Sequence, residues 1–216
     1  MMPVGLVQSP VEMEHLLAYM LNQSSGASAS AAKADDEDPL ALEIERNFDP
    51  GQPNLFRFAA TEAKYVRVQI LAGSRGQPCI DEMEIFAPGS KQNLALPSHG
   101  AKASASSLLE GYRKHQVEHL NDGQYGNERS WIPANHTGWA QIELEKIAKI
   151  NRVALSRDRE GKLRDRSLIS FDILISNDGK AWKTVKKVRP PKAAKRSAWD
   201  GCYPVIMRRK NSINAS

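Results

Sequence analysis

The chain has 216 residues, 41% hydrophobic and 25% charged, and no apolar run approaches the ~20 residues of a membrane-spanning helix. Its length suits one globular domain with tails. The formal net charge is +5, yet residues 183–210 hold ten Lys and Arg against the single acid Asp200. The rest therefore carries 20 basic and 24 acidic residues, which argues against a uniformly basic nucleic-acid-binding domain.

The opening residues predict a short helix. Ser9 stands at its cap, Pro10 at its first helical position and Glu12 three residues after Ser9, a capping-box pattern. Met13, Leu16, Leu17, Met20 and Leu21 follow at helical spacing. Residues 24–53 are then expected as a linker, beginning with the small, polar, acidic run Ser24–Asp38, which cannot bury enough apolar surface to offset its ordering entropy.

From Phe56 the period changes to two. Val66, Val68 and Ile70 alternate with Arg67 and Gln69, and Met83 and Ile85 alternate with Glu82 and Glu84, predicting two strands around the turn-forming AGSRGQP. Ala140, Ile142 and Leu144 mark another strand in GWAQIEL, and Val153 and Leu155 one in INRVALS. Phe171, Ile173 and Ile175 alternate before Asn177-Asp178-Gly179, a tight-turn sequence, and Trp182 and Val185 begin the return strand. At least six short strands without helical periodicity after residue 50 predict an all-β antiparallel sandwich or barrel.

Five segments taken in order, NLALPSHGAKASASS, HLNDGQYGNERSW, GWAQIEL, INRVALSRD and FDILISNDGKAWKTV, resemble the discoidin, or coagulation factor 5/8 type C, family. That family overlaps with galactose-binding-like carbohydrate-binding modules, and the resemblance implies a jelly-roll sandwich. The family ordinarily closes with the kind of strand pair that here stands first, AKYVRVQILAGSRGQPCIDEMEIFAPG. Either the chain holds the end of one copy followed by most of another, or the domain is circularly permuted. The permuted reading is preferred, because domain termini commonly lie close together and a lone hairpin is marginal in water. The expected organisation is a helical fragment (1–23), a linker (24–53), a galactose-binding-like sandwich (54–190) and a basic tail (191–216). Residues 1–23 are also similar to the last helix of c-type cytochrome domains in large bacterial multidomain proteins, with Met2 at the axial position. No Cys-x-x-Cys-His is present, however, and no haem is expected.

The resemblance implies a structural Ca²⁺ with Asp122, Asn127 and Glu82 as candidate ligands, hard oxygen donors of the kind this ion requires. The alternative is that Asp122-Gly123 is only a turn. It also implies a sugar site on loops at one end of the sandwich, with candidates Tyr112, His115, His119, Tyr125, Trp131, Arg157, Arg159 and Arg164. Against this, the RDREGKLRDR strip reads equally as a solvated hairpin tip. Trp139 and Trp182, on strand positions, are expected in the core. His115 and His119 lack a His-Glu-x-x-His order, and no nucleophile elbow or phosphate-binding loop occurs, so no catalytic residue is expected. Cys79 reads as a structural thiol.

The basic tail reads as a Pro-broken linker, with salt-sensitive contacts to phosphates or anionic glycans as the alternative. The function expected is a non-catalytic carbohydrate-binding module that attaches a larger extracytoplasmic protein to oligo- or polysaccharide. The alternatives are a protein- or membrane-surface adhesion module and a structural spacer. The N-terminus itself lacks the basic start and compact apolar core of a signal peptide.

Overall fold

The computed structural model describes residues 38–159, 161 and 163–192. The expected helical fragment 1–23, most of the acidic run and the chain beyond residue 192 lie outside the described residues. Seven strands follow in order: β1 (Glu43–Glu45), β2 (Asn54–Gly73), β3 (Glu82–Phe86), β4 (Lys102–Ala105), β5 (Gly138–Ser156), β6 (Leu168–Ser176) and β7 (Lys183–Arg189). Two short 3₁₀ turns, Pro97–His99 and Val117–Leu120, are the only helical elements among the described residues. Two segments differ from their expected roles. Part of the stretch read as linker forms β1, which pairs in parallel with β7 and sets Ile44 against the core. The basic run begins inside the sheet, because β7 itself carries Lys183, Lys186, Lys187 and Arg189.

The two segments GWAQIEL and INRVALS, expected as separate strands, form one strand, β5. Its first half pairs with β4 and with the second half of β2 (Ala140 opposite Ala105 and Val68), and its second half pairs with β3 and the first half of β2 (Val153 opposite Ile85 and Phe56). Pairing of β5 with β2 breaks at Glu143/Ala148 on one strand and at Arg57/Thr61 on the other. Extra unpaired residues of this kind bend a strand and increase its twist. Both strands thereby cross from one layer to the other, so the hydrogen-bonded ladder is continuous while the layers are distinct. The larger layer runs β4–β5–β2–β6–β7–β1 and the smaller runs β2–β5–β3.

The early strand pair is an integral part of this fold, but it is not a hairpin, because β5 lies between β2 and β3 and pairs with both. Val66 stands opposite Ile142 on one side and Ile175 on the other, and Met83 stands opposite Leu155. The two layers enclose one hydrophobic cluster that includes Phe56, Val66, Val68, Ile70, Met83, Ile85, Ile142, Val153, Phe171 and Ile173. Phe56 meets Phe171 edge-to-face at 5.2 Å, joining the layers through an aromatic pair of favourable geometry. The predicted β6–β7 turn is also present. Asp178 Oδ1 accepts the amides of Lys180 and Ala181, both at 2.8 Å, and Gly179 takes a left-handed φ of 71°. These hydrogen bonds hold the Asp178 carboxyl down at about 2.

The register places the chain's long connections at one end. The segments between β1 and β2, β2 and β3, β4 and β5, and β5 and β6 all gather there. Phe171→Ala is expected to destabilise by about 3–5 kcal/mol, the usual cost of emptying a buried aromatic site. Ile169→Ala, at a position 36% exposed, should cost only about 0.5 kcal/mol. Urea denaturation of both variants measures the difference.

Candidate functional site

Every candidate residue named from the sequence falls at this loop end, but in two different roles. The first role is internal. Trp131 is fully buried, bridges Ile80 and donates its indole N–H to the Ser107 carbonyl at 2.9 Å, so it ties the long β4–β5 loop to the body and presents no face to a ligand. Arg157 is 1% exposed. Its Nη1 donates to Asn127 Oδ1 at 3.1 Å, its Nη2 to Asp165 Oδ1 at 3.0 Å and its Nε to the Asp165 carbonyl at 3.0 Å. It thus clamps the 121–129 loop to the β5–β6 loop. A buried guanidinium needs such full pairing, since removing one partner leaves an uncompensated charge.

His115 and His119 are buried as well. His115 Nδ1 lies 2.8 Å from Ser130 Oγ, and His119 Nδ1 lies 3.1 Å from the Lys114 carbonyl. Both rings therefore pin the polar loop to itself, which corrects their expected part in a sugar site. Burial, then the neighbouring Lys114 charge, pushes the His115 imidazole down to about 4.

The second role is outward-facing. Tyr125 is 40% exposed, with the Arg159 guanidinium 3.8 Å from its ring centre and its hydroxyl donating to Glu84 Oε1 at 3.4 Å. Arg159 also pairs with Glu84 Oε2 and donates its Nε to Ser156 Oγ at 3.2 Å. One ring is thus held by a cation on its face and an acid at its hydroxyl, a preorganised amphipathic surface. Tyr112 is 52% exposed, tilted against His115 at 5.7 Å. Arg164, on the β5–β6 loop, reaches Asp49 at 3.7 Å.

A group of acids lies beneath the Tyr125 loop on β3. Glu82 is fully buried, and its two carboxylate oxygens meet the Gly123 amide at 3.2 and 3.3 Å. Burial first, then the nearby Asp122 charge, pushes Glu82 up to about 9. Asp81 Oδ2 accepts the amides of Gly126 and Arg159, while its Oδ1 is buried with no hydrogen-bond partner among the described residues. Asp122 differs, because Arg129 chelates its Oδ2 through Nε at 3.0 Å and Nη2 at 2.6 Å.

These donors bear on the expected calcium site. Glu82, a buried carboxylate near the Asp122 charge and with no ion pair among the described residues, is an oxygen donor of the kind a hard cation takes, and Asp81 Oδ1 nearby is left without a hydrogen-bond partner. Asn127 does not fit in this arrangement, since its Oδ1 already accepts from Arg157. Among the described residues no cluster of three or more His, Cys, Asp or Glu side chains could hold a metal. Main-chain carbonyls would therefore have to supply most of the ligands.

Three residues of this end escaped the sequence reading. Asp81 and Glu84 anchor Arg159 and the 121–129 loop, and Arg129 neutralises Asp122. The acidic spacing of Asp81, Glu82 and Glu84 around core positions 83 and 85 was the available signal. Cys79 is a buried structural thiol, raised to about 11 chiefly by burial. Trp139 and Trp182, expected in the core, instead lie half-buried on the outer face of the larger layer, because Ala140, Ile142 and Leu144 are the inward members of β5.

The His115 shift gives a pH dependence of known sign. Its folded value lies below the ordinary 6.5, so the unfolded chain takes up a proton first as pH falls. The associated stability is present above pH 6.5 and is lost as pH drops through about 4. Urea-unfolding free energies at pH 7 and pH 4.5 should converge more in His115→Gln than in the parent chain.

Comparison with protein families matches residues 102–215 to the F5/8 type C domain. The match covers more than half of the chain, from β4 through β7 and onward past the described residues. No curated protein and no solved structure matches, and nothing supports the likeness of residues 1–23 to a cytochrome helix. The all-β sandwich and the matched span agree, and the chain belongs to the F5/8 type C, or discoidin, family of generally non-catalytic ligand-binding modules.

Proposed function

We propose that the protein is a carbohydrate-binding module whose loop end holds a glycan through Tyr125, Arg159 and Tyr112. The observation that carries the reading is Tyr125, a large ring left 40% exposed while a guanidinium on its face and a carboxylate at its hydroxyl fix its position. A sugar offers both an apolar C–H face and a rim of hydroxyls. An anchored ring flanked by charged hydrogen-bonding groups meets both needs at small entropic cost. Arg164, 69% exposed in its side chain, extends the polar rim. Buried Trp131, His115, His119 and Arg157 support this surface from below.

The module's contribution is effective concentration. Tethering a larger extracytoplasmic protein to its polysaccharide makes the second encounter intramolecular. Retardation of the full chain in polysaccharide-containing native gels tests the reading. Tyr125→Ala and Arg159→Ala should each weaken retardation at least about tenfold, equivalent to roughly 1.4 kcal/mol; the melting temperature should change little in Tyr125→Ala and fall in Arg159→Ala, which strips the covered Glu84 of its counter-charge. No retardation by neutral or acidic polysaccharides, with the fold intact, would leave a spacer or protein-adhesion role ahead.

We further propose that Ca²⁺ joins β3 to the 121–129 loop through Glu82 and Asp122. The bound ion would supply Glu82 with a counter-charge and add a cross-link between segments that the Gly123 and Gly126 amides and the Tyr125 hydroxyl already join. Without the ion, Glu82 binds a proton that the unfolded chain releases, so stability falls as pH rises from 4.5 towards about 9. Ca²⁺ should raise the melting temperature at pH 8. Glu82→Gln should raise it in chelator and abolish the calcium response, and a calcium shift that persists in this variant would refute the assignment.

A further inference from the structure

A second constellation, on the outer face of the larger layer, shares no residue with the loop-end surface described above. Tyr65, Arg67 and Gln69 of β2 and Trp139, Gln141 and Glu143 of β5 are the outward members of their strands, each half-buried. The Arg67 guanidinium lies between two indoles, 4.3 Å from the Trp139 ring centre and 3.9 Å from that of Trp182. Its Nε and Nη2 both donate to Gln141 Oε1, at 3.1 and 2.7 Å. Tyr65 packs edge-on against Trp182 at 6.5 Å.

The acids of this face are engaged elsewhere. Glu143 accepts from Lys64 at 3.0 Å and from the Tyr65 hydroxyl at 3.2 Å, and Asp172 pairs with Arg189 at 2.8 Å. Among the described residues no carboxylate pairs with Arg67. Partial burial without a counter-charge disfavours its charged form and lowers its pKa. The indole faces compensate part of that cost. The neutral Gln141 takes one edge of the guanidinium fork, and the Nη1 side is left without a hydrogen bond among the described residues. Lys102, opposite Glu143, and Lys187, opposite Asp172, add positive charge to the same face.

We propose that this face is a second ligand site, which binds a uronate residue of an acidic glycan, with the carboxylate on the open edge of Arg67 and the sugar ring against the flanking indoles. A planar carboxylate matches the guanidinium fork as no hydroxyl does. The inference rests on the carbohydrate reading above but uses none of its loop-end residues. A ladder that merely stiffens the sheet would need no ligand, and the test separates the two.

Trp139 and Trp182 report on the site directly. Titration of the full chain with trigalacturonic acid should give saturable fluorescence change, and the fully methyl-esterified trimer should bind much more weakly. Arg67→Lys, which keeps the charge but loses the fork, and Trp182→Ala should each weaken binding of the acid at least about tenfold. Tyr125→Ala should leave it unchanged. Thermal melting verifies that each variant is folded, since the remaining fluorescence contains Trp199 as well as Trp131. Equal binding of acid and ester, unchanged affinity in folded Arg67→Lys, or no saturable response in the parent chain would each overturn the sheet-face site. Acid binding lost in Tyr125→Ala but kept in Arg67→Lys would overturn it while sustaining the loop-end reading, whereas absence of any glycan binding would end both.

Discussion

The whole structure depends on β2 lying between β5 and β6. Val66, Val68 and Ile70 are fully buried, and each faces a partner on both sides. Removing that strand would part the β4–β5–β3 group from the β6–β7–β1 group and so divide the continuous sheet in two. The smaller layer depends on the same strand, since β2 continues through its bend to pair with β5 again. Its partners lie roughly a hundred positions downstream, so the core can close only after a long loop closure. A family match beginning at residue 102 therefore covers only part of the folded unit. The strands that complete both layers come before it.

That topology also determines where charge can be buried. β3 sits at the edge of the smaller layer, with Met83 and Ile85 turned into the core and Glu82 and Glu84 turned outward beneath the 121–129 loop. Covering two carboxylates in this way is costly unless each gains a partner. Glu84 gains Arg159 and the Tyr125 hydroxyl, whereas Glu82 gains the Gly123 amide and a neighbouring acid. Two carboxylates on one face of a single strand, separated by Met83, thus meet different partners. The difference is that Arg159, from the β5–β6 connection, pairs with Glu84, while Arg129 of the 121–129 loop is taken up by Asp122, and that is why a cation site is proposed at Glu82 and an aromatic binding surface at Glu84.

The strands were legible because their inward residues alternate in unbroken runs, as in Phe171, Ile173 and Ile175, and because Asp178-Gly179 fixes the β6–β7 turn by local hydrogen bonds. The continuity of β5 was not legible. Its bend lies in residues 144–147, where the period-2 pattern lapses, and a lapse in pattern reads as a strand end. Burial in the long loop was hidden for a different reason. Trp131 and His115 sit among polar neighbours, as a sugar-binding ring would, and only the bridges to Ile80 and Ser130 show them turned inward. The outward position of Trp139 was available all along, because assigning Ala140, Ile142 and Leu144 to the core leaves residue 139 on the other face.

Tyr125 at the loop end and Trp139 with Trp182 on the sheet face share one device, an aromatic ring left partly accessible with an arginine against it. An aromatic side chain in water loses rotamer freedom when a ligand immobilises it, and that loss subtracts from affinity. A guanidinium stacked on one face has already imposed the order while leaving the ring's other surfaces accessible. The two arginines differ in what balances their charge: Arg159 is neutralised by Glu84, and Arg67 meets only the neutral Gln141. A neutralised pair favours ligands recognised through hydroxyls, while an unbalanced cation favours ligands that bring a carboxylate. At the two proposed sites the same mechanical solution would therefore give different chemical preferences.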